Sequence, residues 1–338
     1  MTQPWIHKAK TDSLFILLPS FFVLAIVLLF PDWLERVEAS YSFYSWLILI
    51  VFIDVAHVYS TLFKTYFNRR EFAKRKNLYL GLPLLCFLIG MVLFSLGSKV
   101  FWSVLAYVAV FHFIRQQYGF MRLYARKESK EKGSRAFDNI VIYAATGYPM
   151  LYWFLSSPRQ FNWFMPDEFF RYESEEWLKV FGILYVMILF VYLVRTLYTS
   201  FKNKFFNIPK NSIILGTAAS WYFGIVYYDN DLVFTLLNVV SHGVPYMALI
   251  YFKEIESRVE NEQNFFSYFR NYKGVMLFLA LLIGIAFFEE YLWEILVWNE
   301  HFSMTAFDVS NWHIFLVPLL TVPQFTHYLL DGFIWKSK

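Results

Sequence analysis

The chain has 338 residues; 58% are hydrophobic, 17% are charged, and Phe, Tyr and Trp together make up 22%. Soluble domains sit nearer roughly 45–50% apolar and about 25% charged, so a soluble globular fold, a disordered chain and a coiled coil are all excluded. The single cysteine, Cys86, rules out an internal disulfide and any cysteine-built zinc or iron–sulfur site, and a net charge of +4 gives no reason to expect nucleic acid.

A mean hydropathy of +0.42 points to a polytopic membrane protein. A spanning helix needs about 20 largely apolar residues to cross roughly 30 Å of hydrocarbon. About ten stretches qualify: 13–30, 42–63, 78–97, 100–121, 139–156, 177–198, 212–228, 232–252, 274–298 and 312–335. The first is too long for a signal-peptide core and lacks a small-residue cleavage site, so it is read as a span. Backbone groups must pair within lipid, and no stretch alternates as a barrel strand would. The expected fold class is therefore all-α: one helical transmembrane domain over residues 1–338. The fifth and seventh stretches are the shortest.

Loop charge orients the bundle. Lys64, Arg69, Arg70, Lys74, Arg75 and Lys76 crowd the link after the second span. Arg122, Arg126, Lys127, Lys130, Lys132 and Arg135 follow the fourth, and Lys202, Lys204 and Lys210 the sixth. The alternate links carry Asp32, Glu35 and Glu38, then Asp167, Glu168, Glu173, Glu175 and Glu176, then Asp229 and Asp231. Basic loops stay cytoplasmic, which puts both termini inside, with a bacterial inner membrane the expected location. The link 253–273 is neutral, because Glu254, Glu256, Glu260 and Glu262 balance its basic residues. Aromatic runs at Phe161, Trp163 and Phe164 and at Phe265, Phe266, Tyr268 and Phe269 are expected to anchor at the interface.

Ionisable groups within a span are costly and mark candidate sites. Four histidines fall on spans two, four, eight and ten: His57, His112, His242 and His327. They stand seven residues before Lys64, ten before Arg122, eleven before Lys253 and nine before Lys336. At a rise of about 1.5 Å per residue, all four lie about 10–17 Å from the cytoplasmic edge. Each has a polar neighbour on its own helical face: Asp54 for His57, Gln116 for His112, Asn238 for His242 and Asp331 for His327. These neighbours are expected to orient the rings, or, for Asp54 and Asp331, to be direct ligands that allow a second metal. An imidazole set without thiolate suits iron, copper or zinc. In a lipid-embedded cavity iron with redox chemistry fits best, and haem held by two axial histidines is the alternative.

Around this layer, Arg115 and Gln116 are the candidate pocket-lining catalytic residues, with Gln117 and Tyr118 beside them. Tyr246 and Tyr328 are candidate hydrogen-bond donors to bound oxygen. Glu289, Glu290 and Glu294 lie about 24 Å from Lys273 by the same arithmetic, too far in depth to join the cluster. His7, His301 and His313 are assigned no role. The expected partners are a lipid or isoprenoid substrate, the membrane itself and an unspecified electron donor. The rival reading is a proton- or ion-coupled transporter using the buried His, Asp and Arg, favoured by a helix break at His242-Gly243-Val244-Pro245. A third reading is a structural protein whose polar residues glue helices together.

The histidine layer resembles that of histidine-liganded membrane oxygenases. One such group is the fatty acid desaturases and hydroxylases, whose di-iron histidine boxes, HxxxH and HxxHH, are missing from this chain. Another is the Brp/Blh-type carotene dioxygenase family, in which four histidines from separate helices are thought to hold one iron; the parallel falls on His57, His112, His242 and His327. Glu289 and Glu290 in EEYLWE, with His327 and Asp331 as HxxxD, are similar to elements of the CPBP intramembrane proteases, although Glu294 stands where that family has Arg.

Overall fold

The computed structural model describes residues 2–39, 43–128, 132–257, 265–298 and 309–335. Lys130, Glu260, Glu262, His301 and Lys336 lie outside them. The described chain is helical, with no strand. Its long helices, in order, are α1 (Ala9–Leu29), α2 (Phe43–Lys64), α3 (Lys76–Ser95), α4 (Ser98–Tyr124), α5 (Lys132–Leu155), α6 (Glu175–Asn203), α7 (Ile208–Trp221), α8 (Asp231–Glu256), α9 (Tyr272–Trp298) and α10 (Ser310–Ile334). All but α5 and α7 are long and apolar enough to cross a membrane.

The two exceptions fall on the stretches 139–156 and 212–228. Both form helices, but a polar network takes up part of their length. Lys210 Nζ reaches Glu128 Oε2 at 2.8 Å and Asp138 Oδ2 at 3.4 Å, and Asn207 Nδ2 donates to the Tyr124 carbonyl and to Glu128 Oε1. Among the described residues, eight helices are thus long and apolar enough to cross a membrane, and the other two expected stretches form helices that are not.

Helix ends follow local chemistry. Ser174 and Asn271 cap α6 and α9 by accepting from Trp177 N and Gly274 N, and Glu175 and Glu176 complement the α6 dipole. Asn207 caps α7 by accepting from Lys210 N at 3.1 Å.

The chain divides into two compact units, and both divisions that fall within long helices leave those helices continuous. The first unit comprises Met1–Ala39 and Val110–His242; the second comprises Ser40–Ala109 and Gly243–Lys338. In the first, α5 packs on α6 and α7, and Tyr148 stacks on Tyr185 at 4.5 Å. The link 157–174 is irregular. Glu168 holds it by accepting from the backbone N–H groups of Trp163, Phe164 and Met165, while burial pushes its carboxyl above the ordinary value against those bonds. Phe161 is no interfacial anchor, for it is buried and stacks on Phe234 at 4.5 Å.

In the second unit the core gathers around Phe63, whose ring meets Phe278 at 4.9 Å and Phe269 at 5.1 Å. Helix α8 runs unbroken through Gly243 and Pro245, so the expected helix break does not occur. Gly243 serves close packing instead: a Cβ there would lie 2.8 Å from Ile53 Cγ2 and 3.0 Å from the Ile53 carbonyl. Gly243→Val is therefore expected to lower the stability of the purified protein by about 1–3 kcal/mol through overpacking. A thermal-unfolding midpoint equal to wild type would contradict this contact.

Candidate metal centre

His57 stands on α2 immediately after a π-helical stretch, Leu47–Val55, a local widening that recurs at functional sites. Within the second unit its ring lies 5.0 Å from that of His327, nearly perpendicular. Thr61, one turn beyond His57, places Oγ1 2.8 Å from His327 Nδ1 and 3.1 Å from the Tyr246 hydroxyl. Tyr246 donates in turn to Asp331 Oδ1 at 2.6 Å.

The first unit carries the other two rings. His112 Nε2 and His242 Nε2 are 3.2 Å apart. Phe113 lies flat on His242, with centroids 3.6 Å apart and planes 5° from parallel, and Trp163 sets its edge against Phe113 at 5.0 Å. Gln116 Nε2 donates to the His242 carbonyl at 2.8 Å. Pro245 has no N–H, so the Ser241 carbonyl loses its usual helical donor. Gln117 Nε2 reaches that carbonyl at 3.5 Å, while Gln117 Oε1 accepts from Thr217 at 3.1 Å.

One ring nitrogen from each of His57, His112, His242 and His327 lies within 4.8 Å of the others, and all four side chains are buried. Four buried histidines so placed could hold a metal ion. Bonds of roughly 2.0–2.1 Å set tetrahedral ligand nitrogens about 3.3 Å apart, and the His112–His242 spacing already matches. The donor set is imidazole throughout, which suits a transition metal better than magnesium or calcium. Comparison of this chain with protein-family models, with curated proteins and with solved structures gives no match.

The other expected residues fall in different places. Asp54 and Asp331 do not belong to the four-residue set. Asp54 Oδ1 is 3.7 Å from His57 Nδ1, beyond hydrogen-bond reach, and Asp331 Oδ1 accepts from Tyr246. Asn238 does not orient His242 through its amide nitrogen, which donates to Phe234 O at 2.9 Å. Arg115 is exposed: it donates to the Tyr143 hydroxyl at 2.6 Å and lies over Tyr118, which itself stacks on Tyr143. Gln117 is committed at both ends of its amide. The Tyr246 hydroxyl is held by Asp331 and Thr61 and is not available to bound oxygen.

The glutamates of α9, Glu289, Glu290 and Glu294, do not belong to the set of four, but they are buried. Tyr59, two residues from His57, donates a short hydrogen bond to Glu289, and Trp293 Nε1 adds another at 3.4 Å. Thr61 escaped notice, although its i+4 spacing from His57 marked it.

Removing the Tyr59 donor leaves buried Glu289 with the long Trp293 bond. Tyr59→Phe is expected to cost about 1–3 kcal/mol of stability. In a Glu289→Leu background, which has no acceptor to strand, the same change should cost far less; equal losses in both backgrounds would refute the pairing.

Proposed function

We propose that this chain is an integral membrane protein that binds one transition metal through His57, His112, His242 and His327 and performs oxidative chemistry on a lipid or isoprenoid. The convergence of four buried imidazole nitrogens carries the reading. Helix α6 supports insertion, because only 6% of its apolar window is buried. Side chains such as Ile183, Phe190, Leu193 and Phe201 are exposed along it, a surface far more apolar than water tolerates on a monomer. We place both termini on the cytoplasmic side, where the basic loops gather, in a bacterial inner membrane.

Iron fits an all-imidazole redox site in an apolar interior; once bound, it supplies a redox couple and open coordination positions. Haem does not fit, since four imidazole nitrogens this close leave no plane for a porphyrin. The protein's own share is binding, orientation and exclusion of water. Phe113 and Thr61 hold rings, one by stacking and one by a hydrogen bond. Gln116 Oε1 and Asn238 Oδ1 are buried acceptors with no hydrogen bond among the described residues. Leaving such groups bare costs about 1–3 kcal/mol each, so they are suited to hold the polar end of an otherwise apolar substrate. Reducing equivalents come from a separate donor.

Metal analysis of the detergent-purified full chain tests the reading. About one equivalent of transition metal is expected, falling below about a tenth of that in His57→Ala/His327→Ala and in His112→Ala/His242→Ala. Sub-stoichiometric metal unchanged by either pair would overturn it. Substrate flux in proteoliposomes by metal-free protein would instead establish the transporter.

A further inference from the structure

The hydrogen bonds behind His327 have a direction. A carboxylate only accepts, so the Tyr246 hydroxyl spends its one proton on Asp331 Oδ1 at 2.6 Å. The Tyr246 oxygen can then only accept from Thr61 Oγ1, 3.1 Å away, which uses the one Thr61 proton. That leaves the Thr61 oxygen as an acceptor facing His327 Nδ1 at 2.8 Å. Each hydroxyl has a single hydrogen, so the polarity set at Asp331 passes through both and ends at the ring.

We propose that Asp331, Tyr246 and Thr61 form a one-way hydrogen-bond chain that locks His327 with its proton on Nδ1, presenting the Nε2 lone pair for coordination. The inference rests on the proposed metal centre, yet it concerns a state of the ring that exists without metal. Thr61 and Tyr246 are buried, so no bulk water competes for these bonds. Asp331 thereby acts on the centre as a positioning residue through two hydroxyls, in place of the ligand role its spacing from His327 suggested. Tyr246 also sets its ring perpendicular to that of His327 at 5.1 Å.

The ring nitrogens report the tautomer directly. In the metal-stripped full chain, labelled with ¹⁵N-histidine and assigned by His327→Gln, the spectrum of His327 should show a protonated Nδ1 and a bare Nε2. Thr61→Val and Tyr246→Phe should populate the other tautomer, and Thr61→Ser should restore the wild-type spectrum. Zn²⁺ titration gives a second readout. Thr61→Val should weaken binding about 10–100-fold, as loss of an outer-shell partner does, with Thr61→Ser near wild type. Asp331→Asn should weaken binding in the wild-type background but add nothing to Thr61→Val, since the chain is already cut there. A protonated Nε2 in the wild-type ring, or losses from Asp331→Asn and Thr61→Val that multiply, would overturn the chain. Wild-type protein that shows the expected tautomer but takes up no metal would overturn the metal centre alone.

Discussion

Four buried imidazole rings each bring one nitrogen to within 4.8 Å of the others, and the cost of holding them in an apolar interior is the constraint on the centre. Everything else near the centre follows from that constraint. Burying polar groups in an apolar helix bundle is costly, and the cost falls when the groups share a partner. Four imidazoles can stay uncharged where four carboxylates would repel one another, and such a set could hold a metal ion.

The supports differ between the two units. In the first, an aromatic stack runs from Trp163 through Phe113 onto the face of His242, and Gln116 and Gln117 bind the carbonyls of His242 and Ser241. The second instead uses hydroxyls, with Thr61 at the His327 nitrogen and Tyr246 behind it. Pro245 and Gly243 in α8 serve packing and carbonyl exposure without interrupting the helix. A discontinuous helix would have offered free backbone groups to an ion. This one offers a single carbonyl, already taken by Gln117.

Much of this was legible in the sequence. The eight apolar helices stand out because a lipid-spanning run has few polar residues to confuse it. The helices α5 and α7 were harder, because Lys210, Asp138 and Asn207 dilute their hydropathy for the sake of a buried network. The four histidines were found because loop charge supplies a ruler for depth. The same ruler kept Glu289 out of the cluster, and the set of four does not include it, although Tyr59 bonds to it. Spacing alone also cannot say which way a side chain turns. Arg115 lies one turn from His112 yet points to Tyr143, and Asp331 lies one turn from His327 yet meets Tyr246.

X-ray absorption at the metal edge of the loaded, full-length protein tests the central claim most directly. A shell of about four imidazole nitrogens at roughly 2.0–2.2 Å, with outer scattering from the rings and no sulfur, is the expected spectrum. A shell dominated by carboxylate oxygen, or one that keeps its full nitrogen count when His57 and His327 are both replaced, would contradict it.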